Sequence, residues 1–171
     1  MGQDKAAIRF DGEQLAVRIA RSLDTVCDRV TIIGREPIPG YLLIKDLQEF
    51  AGPLVALSQL QLTSERVFVA SCDIVHFDAR LVTGFQALIG SKDAVIPIAD
   101  GRLQPLCALY RASAWQALKL VLETGSARLM DWIEALDVQE LTDKECLDLG
   151  LDPAWVRSAN TPAELKRLLG A

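Results

Sequence analysis

The sequence predicts an α/β domain, and three observations carry that prediction. Hydrophobic spacing alternates along the chain between a helical period and short β-branched runs. Half of the 171 residues are apolar and about a quarter are charged, the balance of a globular chain. The apolar content is mostly Leu, Ala, Val and Ile with few aromatics, which suits a sheet covered by helices. The length fits a single domain spanning 1–171.

Glu13 to Cys27 carries a helical pattern, with Leu15, Ile19, Leu23 and Val26 on one face. Arg29 to Ile33 is β-branched and reads as a strand ending at Gly34. Pro37, Pro39 and Gly40 mark a loop, and Tyr41 to Ile44 is a short apolar strand running into Lys45 and Asp46. Gly52-Pro53 opens a helix to about Leu62. Arg66 to Ser71, almost continuously apolar, reads as a strand buried on both faces that ends at Cys72-Asp73. Asp78 is a cap for a helix to Ile89.

Ala94 to Ile98 is a further strand, Asp100-Gly101 a turn, and Leu103 to Tyr110 the strand that follows. Ser113 is placed to cap a helix bearing Trp115, Leu118 and Leu122. A second helix starts at Ala127 with Trp132 and Ile133 inward, and Val138 to Leu141 reads as a strand. Thr161-Pro162-Ala163-Glu164 has the form of a capping box with proline at the first helical position.

The net charge of −5 argues against a nucleic-acid face. An acidic chain can still hold a polyphosphate through backbone amides, a few placed cations or a metal ion. Cys27, Cys72, Cys107 and Cys146 are far apart and His76 is the single histidine, so reduced thiols are expected and a structural zinc site is not. No apolar run has the length of a membrane span, and the first residues lack a signal-peptide core, so a cytoplasmic protein without membrane contact is expected.

Asp73 is the first candidate for chemistry. It follows the most apolar strand, and in open α/β sheets the carboxyl edge faces the ligand crevice. Mg²⁺ takes one or two carboxylates and completes its shell with water and phosphates, so a lone Asp there suits it; capping a turn is the competing role. Asp46 has the same placement after its own strand, with a solvated loop as its competing role. Lys5, near the terminus, reads in isolation as a solvated charge. His76 and the tryptophans Trp115, Trp132 and Trp155 read as structural. Asn160 suits a turn as well as it suits a ligand.

MGQDKA at 1–6, DLQEFAGPLVAL around Asp46 to Leu57, VFVASCD ending at Asp73, DGRLQPLCALYR at 100–111 and NTPAEL at 160–165 occur in this order. Together they resemble the molybdenum cofactor guanylyltransferases over nearly the whole length. The resemblance implies a Rossmann-like fold of the nucleotide-diphospho-sugar transferase type, with a mostly parallel sheet flanked by helices. It implies GTP and molybdopterin as substrates, Mg²⁺ as cofactor, and transient contact with molybdoenzyme-maturation proteins. It casts Asp73 as the metal ligand, with Lys5 beside it as the second catalytic residue. Lys5 and Asp46 join Asp73 in binding nucleotide. Gln104, Pro105 and Asn160 line the pterin side.

The family pattern opens with a strand and a glycine-rich loop that end at the methionine where this sequence begins. The resemblance therefore leads one to expect an N-terminally truncated chain whose natural form is longer by about twenty residues. It also leads one to expect that the strands at Arg29–Ile33 and Arg66–Ser71 face each other across a gap. Ile32-Ile33-Gly34-Arg35 stands where relatives carry a polar strand end, and Ser158 stands for one asparagine of the family's second motif. Two other functions fit the same residues: a related transferase using CTP or a sugar phosphate, and a module that binds nucleotide or a partner protein without turnover.

Overall fold

The computed structural model describes residues 9–10, 12–46, 52–159 and 162–169. A two-residue antiparallel pair, β1 (Arg9–Phe10) and β2 (Glu13–Gln14), leads into helix α1 (Leu15–Asp24). Leu15, Ile19, Ala20 and Leu23 of α1 are buried, whereas Val26 lies past the helix end and is exposed. Strands β3 (Thr31–Gly34) and β4 (Leu42–Lys45) pair in parallel as a sheet of their own. Helix α2 (Pro53–Ser58) follows and stops well short of Leu62.

The larger sheet is built from β5 (Arg66–Ala70), β6 (Ala94–Ala99), β7 (Arg102–Leu103), β8 (Cys107–Arg111) and β9 (Val138–Leu141). Helix α3 (Arg80–Leu88) links β5 to β6, and α4 (Ala114–Glu123) and α5 (Leu129–Glu134) link β8 to β9. Helix α6 (Asp143–Asp148), a short 3-10 turn (Pro153–Val156) and α7 (Pro162–Leu169) complete the chain.

The expected mostly parallel sheet is corrected here. β8 lies between β5 and β6 and is antiparallel to both, β7 is antiparallel to β6, and only β6–β9 and β3–β4 are parallel. The cause is local. Asp100 and Gly101 form a two-residue loop between Ala99 and Arg102, with φ of 51° and 73°. A turn with both central residues left-handed sends the chain straight back, and a strand that returns through a tight turn can pair only antiparallel. The single strand expected over Leu103–Tyr110 is split into β7 and β8 by a turn in which Cys107 N donates to Gln104 O at 2.9 Å.

Side-chain alternation divides the core into two layers. On β6 and β8, Ala94, Ile96, Ala108 and Tyr110 point toward α2, α4 and α5, while Val95, Cys107 and Leu109 point toward α1, α3 and α6. Tyr110 stacks on Trp132 at 4.7 Å between ring centres, and Trp115 packs edge-on against both. The polar ends of these rings are bonded: Trp115 Nε1 to Leu57 O, Trp132 Nε1 to Ala114 O, and Tyr110 Oη to Pro105 O at 2.7 Å. Burial pushes the Tyr110 phenol far above its ordinary range, so it stays a donor.

Between the two sheets lies a cleft of about 1180 Å³. Consecutive residues of both strands line it, Arg29 to Ile33 on one side and Arg66 to Ser71 on the other. Neighbouring strand residues point to opposite faces, so only an open backbone edge presents all of them. β5 is therefore half-buried, not buried on both faces as its apolar run predicts, because one edge pairs with β8 and the other faces the cleft. Arg29, before β3, donates to Thr63 Oγ1, before β5, at 3.4 Å, and β3 and β4 run in one sense. No helix among the described residues is long and apolar enough to cross a membrane.

Candidate functional site

β5 ends at Ala70, and Ser71-Cys72-Asp73 forms the turn that follows it. Asp73 is the one charged residue buried among those described, at 3% exposure. A buried carboxylate is costly unless its oxygens are bonded. The Ser71 hydroxyl donates to Asp73 Oδ1 at 2.5 Å. Two further segments cover Asp73 and remove it from solvent.

The first cover is the crossing between β7 and β8. The Ser71 amide donates to Leu106 O at 2.6 Å, which sets Gln104-Pro105-Leu106 against the end of β5. Gln104 is held from both sides. Its backbone N donates to Pro97 O at 2.8 Å, and its side-chain amide donates to Ala99 O and Arg102 O at 3.3 and 3.0 Å. The Pro105 carbonyl is taken by Tyr110 Oη. The second cover is the stretch before α7. Ala159 N donates to Asp73 O at 2.9 Å, Val75 N donates to Arg157 O at 3.3 Å, and Ile74 bridges Ser158. Asp73, Gln104, Pro105 and the residues leading to Asn160 are thus drawn together from three distant parts of the sequence.

Asp46 follows β4, and its amide donates to Gly34 O at 3.1 Å, so it closes the carboxyl end of the smaller sheet. Asp46 and Asp73 each follow the carboxyl end of a strand, β4 and β5 respectively. Lys5, Asn160 and Thr161 lie outside the described residues.

Two residues at this edge escaped the sequence reading. Ser71 stands two positions before Asp73, a spacing at which a hydroxyl can turn onto a carboxylate; that signal was available. Arg157 gave none, because its partners Asp100 and Asp143 are remote in sequence. His76 Nε2 meets Leu168 O at 2.8 Å and so ties α7 down, in keeping with a structural role. Trp155 lies beneath the Arg80 guanidinium at 4.2 Å. Cys107 and Cys146 are buried, and Cys27 and Cys72 are half-buried.

A single carboxylate steadied by a hydroxyl fits Mg²⁺ that arrives with phosphate oxygens.

A model of the MobA-like NTP transferase domain matches residues 1–140. The chain belongs to the MobA-like NTP transferase family. Within that family it is 27% identical to a probable molybdenum cofactor guanylyltransferase of Synechococcus elongatus, over 98% of this chain and 91% of the relative. It is 24% identical to the molybdenum cofactor guanylyltransferase of Desulfosudis oleivorans, over 97% of this chain and 86% of the relative. Molybdopterin-guanine dinucleotide biosynthesis protein A of Archaeoglobus fulgidus superposes with a TM-score of 0.62 at 22% identity, covering 75% of this chain and 66% of that one. The 2-C-methyl-D-erythritol 4-phosphate cytidylyltransferase of Thermus thermophilus superposes with a TM-score of 0.74 at 16% identity, over 99% and 93% of the two chains. These likenesses place the MobA-like chain in the mixed α/β nucleotidyltransferase fold.

Proposed function

We propose that this MobA-like nucleotidyltransferase transfers GMP from GTP to molybdopterin carrying molybdenum. A terminal phosphate oxygen of the pterin forms a bond to the α-phosphorus of GTP. The bond from that phosphorus to the oxygen bridging to the β-phosphate breaks, and pyrophosphate leaves. The buried Asp73 carries this reading. It sits at the carboxyl end of β5 with Ser71 on one oxygen, and Gln104-Pro105 and Ser158-Ala159 are fastened on either side of it.

Positioning and charge neutralisation are what such a transfer asks of a protein. Asp73 would hold Mg²⁺, and the ion would stabilise charge developing on the leaving group. Asp46 contacts the nucleotide from the neighbouring strand end, and Lys5 contacts its phosphates. Gln104, Pro105 and Asn160 face the pterin. With Nε2 of Gln104 committed to Ala99 and Arg102, the side chain meets a ligand through its oxygen. Guanine is read chiefly by backbone groups, since Ile32, Ile33 and Gly34 of β3 offer no polar side chain.

Pyrophosphate release measured with GTP, CTP and ATP, each with Mg²⁺ and molybdopterin, tests the proposal. GTP is expected to be preferred, by less than a fully hydrogen-bonding pocket would give. Equal turnover of GTP and CTP would refute guanylyl specificity. Titration calorimetry showing GTP binding without pyrophosphate release would reduce the chain to a binding module.

A further inference from the structure

The Arg157 side chain is held where stability alone gives it little reason to be. Its Nη2 donates to Asp143 Oδ2 at 3.1 Å, and its Nε lies 3.8 Å from Asp100 Oδ1. Asp100 and Asp143 are well exposed, and exposed ion pairs contribute little. Meanwhile Nε is sealed from solvent with no hydrogen-bond acceptor among the described residues, which is a cost. What the arrangement does is join segments. Asp100 is the first residue of the left-handed turn between β6 and β7, and Asp143 opens α6. The backbone of Arg157 holds Val75, two residues beyond Asp73, while Ala159 holds Asp73 itself.

We propose that Arg157 is a positioning residue that fixes the Asp100-Gly101 turn, and with it Gln104 and Pro105, against the ledge carrying Asp73. Gln104 grips this turn from inside through Ala99 O and Arg102 O. Arg157 grips the same turn from outside through Asp100. With both grips in place, the two walls of the proposed acceptor side keep one spacing. Without Arg157 the turn keeps the two residue pairs of β6–β7 and the Gln104 grip, and it loses its tie to the stretch that holds Asp73. The catalytic consequence rests on the guanylyl-transfer reading. The mechanical one does not.

Arg157→Met keeps the length of the side chain and removes both ion pairs; Arg157→Lys restores a cation without the planar fork. In steady-state transfer assays on the full chain, Arg157→Met is expected to raise KM for the pterin acceptor about tenfold while KM for GTP stays within about twofold. Arg157→Lys should recover part of the loss. Asp100→Asn should add nothing to Arg157→Met, because the two substitutions break the same contact. A parallel rise in both KM values, or full additivity, would overturn the role.

Amide exchange tests the mechanical claim even if the native chain transfers no GMP. In Arg157→Met the amides of Gln104, Val75 and Ala159 should exchange at least tenfold faster, and those of β8 should be unchanged. Unaltered exchange at all three would overturn the proposal. Loss of transfer activity in the unsubstituted chain would instead overturn the guanylyl reading.

Discussion

The amide of Ala159 donates to the carbonyl of Asp73 at 2.9 Å, joining the turn after β5 to the stretch that precedes α7. The bond sets the residue before position 160 against the residue that ends the β5 turn. It also explains why Asp73 is buried: the Arg157–Ala159 stretch lies over it, and Ser71 satisfies an oxygen that water would otherwise have bonded.

Asp73→Asn preserves shape and leaves an acceptor for Ser71, so the fold should survive it. Mg²⁺-dependent pyrophosphate release is expected to fall by about a hundredfold or more, the scale for losing a group that stabilises transition-state charge. Asp73→Ala should lose activity and also about 1–3 kcal/mol of stability, because the Ser71 hydroxyl is left without its partner. Urea unfolding beside the activity assay separates the two effects. Undiminished release by Asp73→Asn would remove Asp73 from the site.

The facing edges of β3 and β5 have no strand partner among the described residues, and they line the same cleft. Their amides should exchange with solvent far faster than those of β6, which is bonded to β7, β8 and β9. Residue-resolved hydrogen exchange of the 171-residue chain checks this. Protection of Ile33 and Phe68 equal to that of Val95 would contradict open edges.

Trp132 is fully buried between Tyr110 and Trp115 and donates to Ala114 O at 2.8 Å. Trp132→Ala should cost about 3–5 kcal/mol, the usual range for emptying an aromatic site in a core. Chemical denaturation measures the loss. A cost under about 1 kcal/mol would show that the layer beneath α4 and α5 can collapse into the space.

Thr142 and Glu145 form a capping box at the start of α6, and the Thr142 amide and hydroxyl hold the Glu145 carboxyl below its ordinary range. Its folded value lies below its unfolded one. The contribution is therefore complete above the ordinary carboxylate range and is lost as pH falls through the lowered folded value. Asp78, lowered by its hydrogen bonds with Arg80, acts in the same direction. Glu145→Gln should lower stability at neutral pH and converge on the unsubstituted chain in acid, which flattens the acid limb of the stability profile. Unfolding midpoints followed from neutral pH down into the acid range would show it, and an unchanged acid limb would count against the cap.

Much of the fold was legible along the chain. The helical period marks α1, α3 and α4, and β-branched runs mark β3, β5 and β6. Boundaries shifted where capping was inferred from residue type alone. Ser113 stands at the start of α4, yet its hydroxyl is directed to Asp93 and not to the helix amides. Helix α6 was passed over although Thr142 and Glu145 carry the capping-box spacing, because no apolar run follows them.

The sequence by itself determined the alternation of helix and strand, the tight turn at Asp100-Gly101 and the identity of Asp73 as the leading candidate. These depend on residues near one another, whose spacing and chemistry can be read directly. Tertiary structure alone decided strand direction, since β8 finds its place between β5 and β6 only after the chain has returned on itself. It likewise decided the burial of Asp73, beside the hydrogen bonds from Ser71 to Leu106 and from Ala159 to Asp73, and the pairing of Arg157 with Asp100 and Asp143, which are remote in sequence. The strength of such contacts depends on distance and on exclusion of water, and a linear order of residues specifies neither.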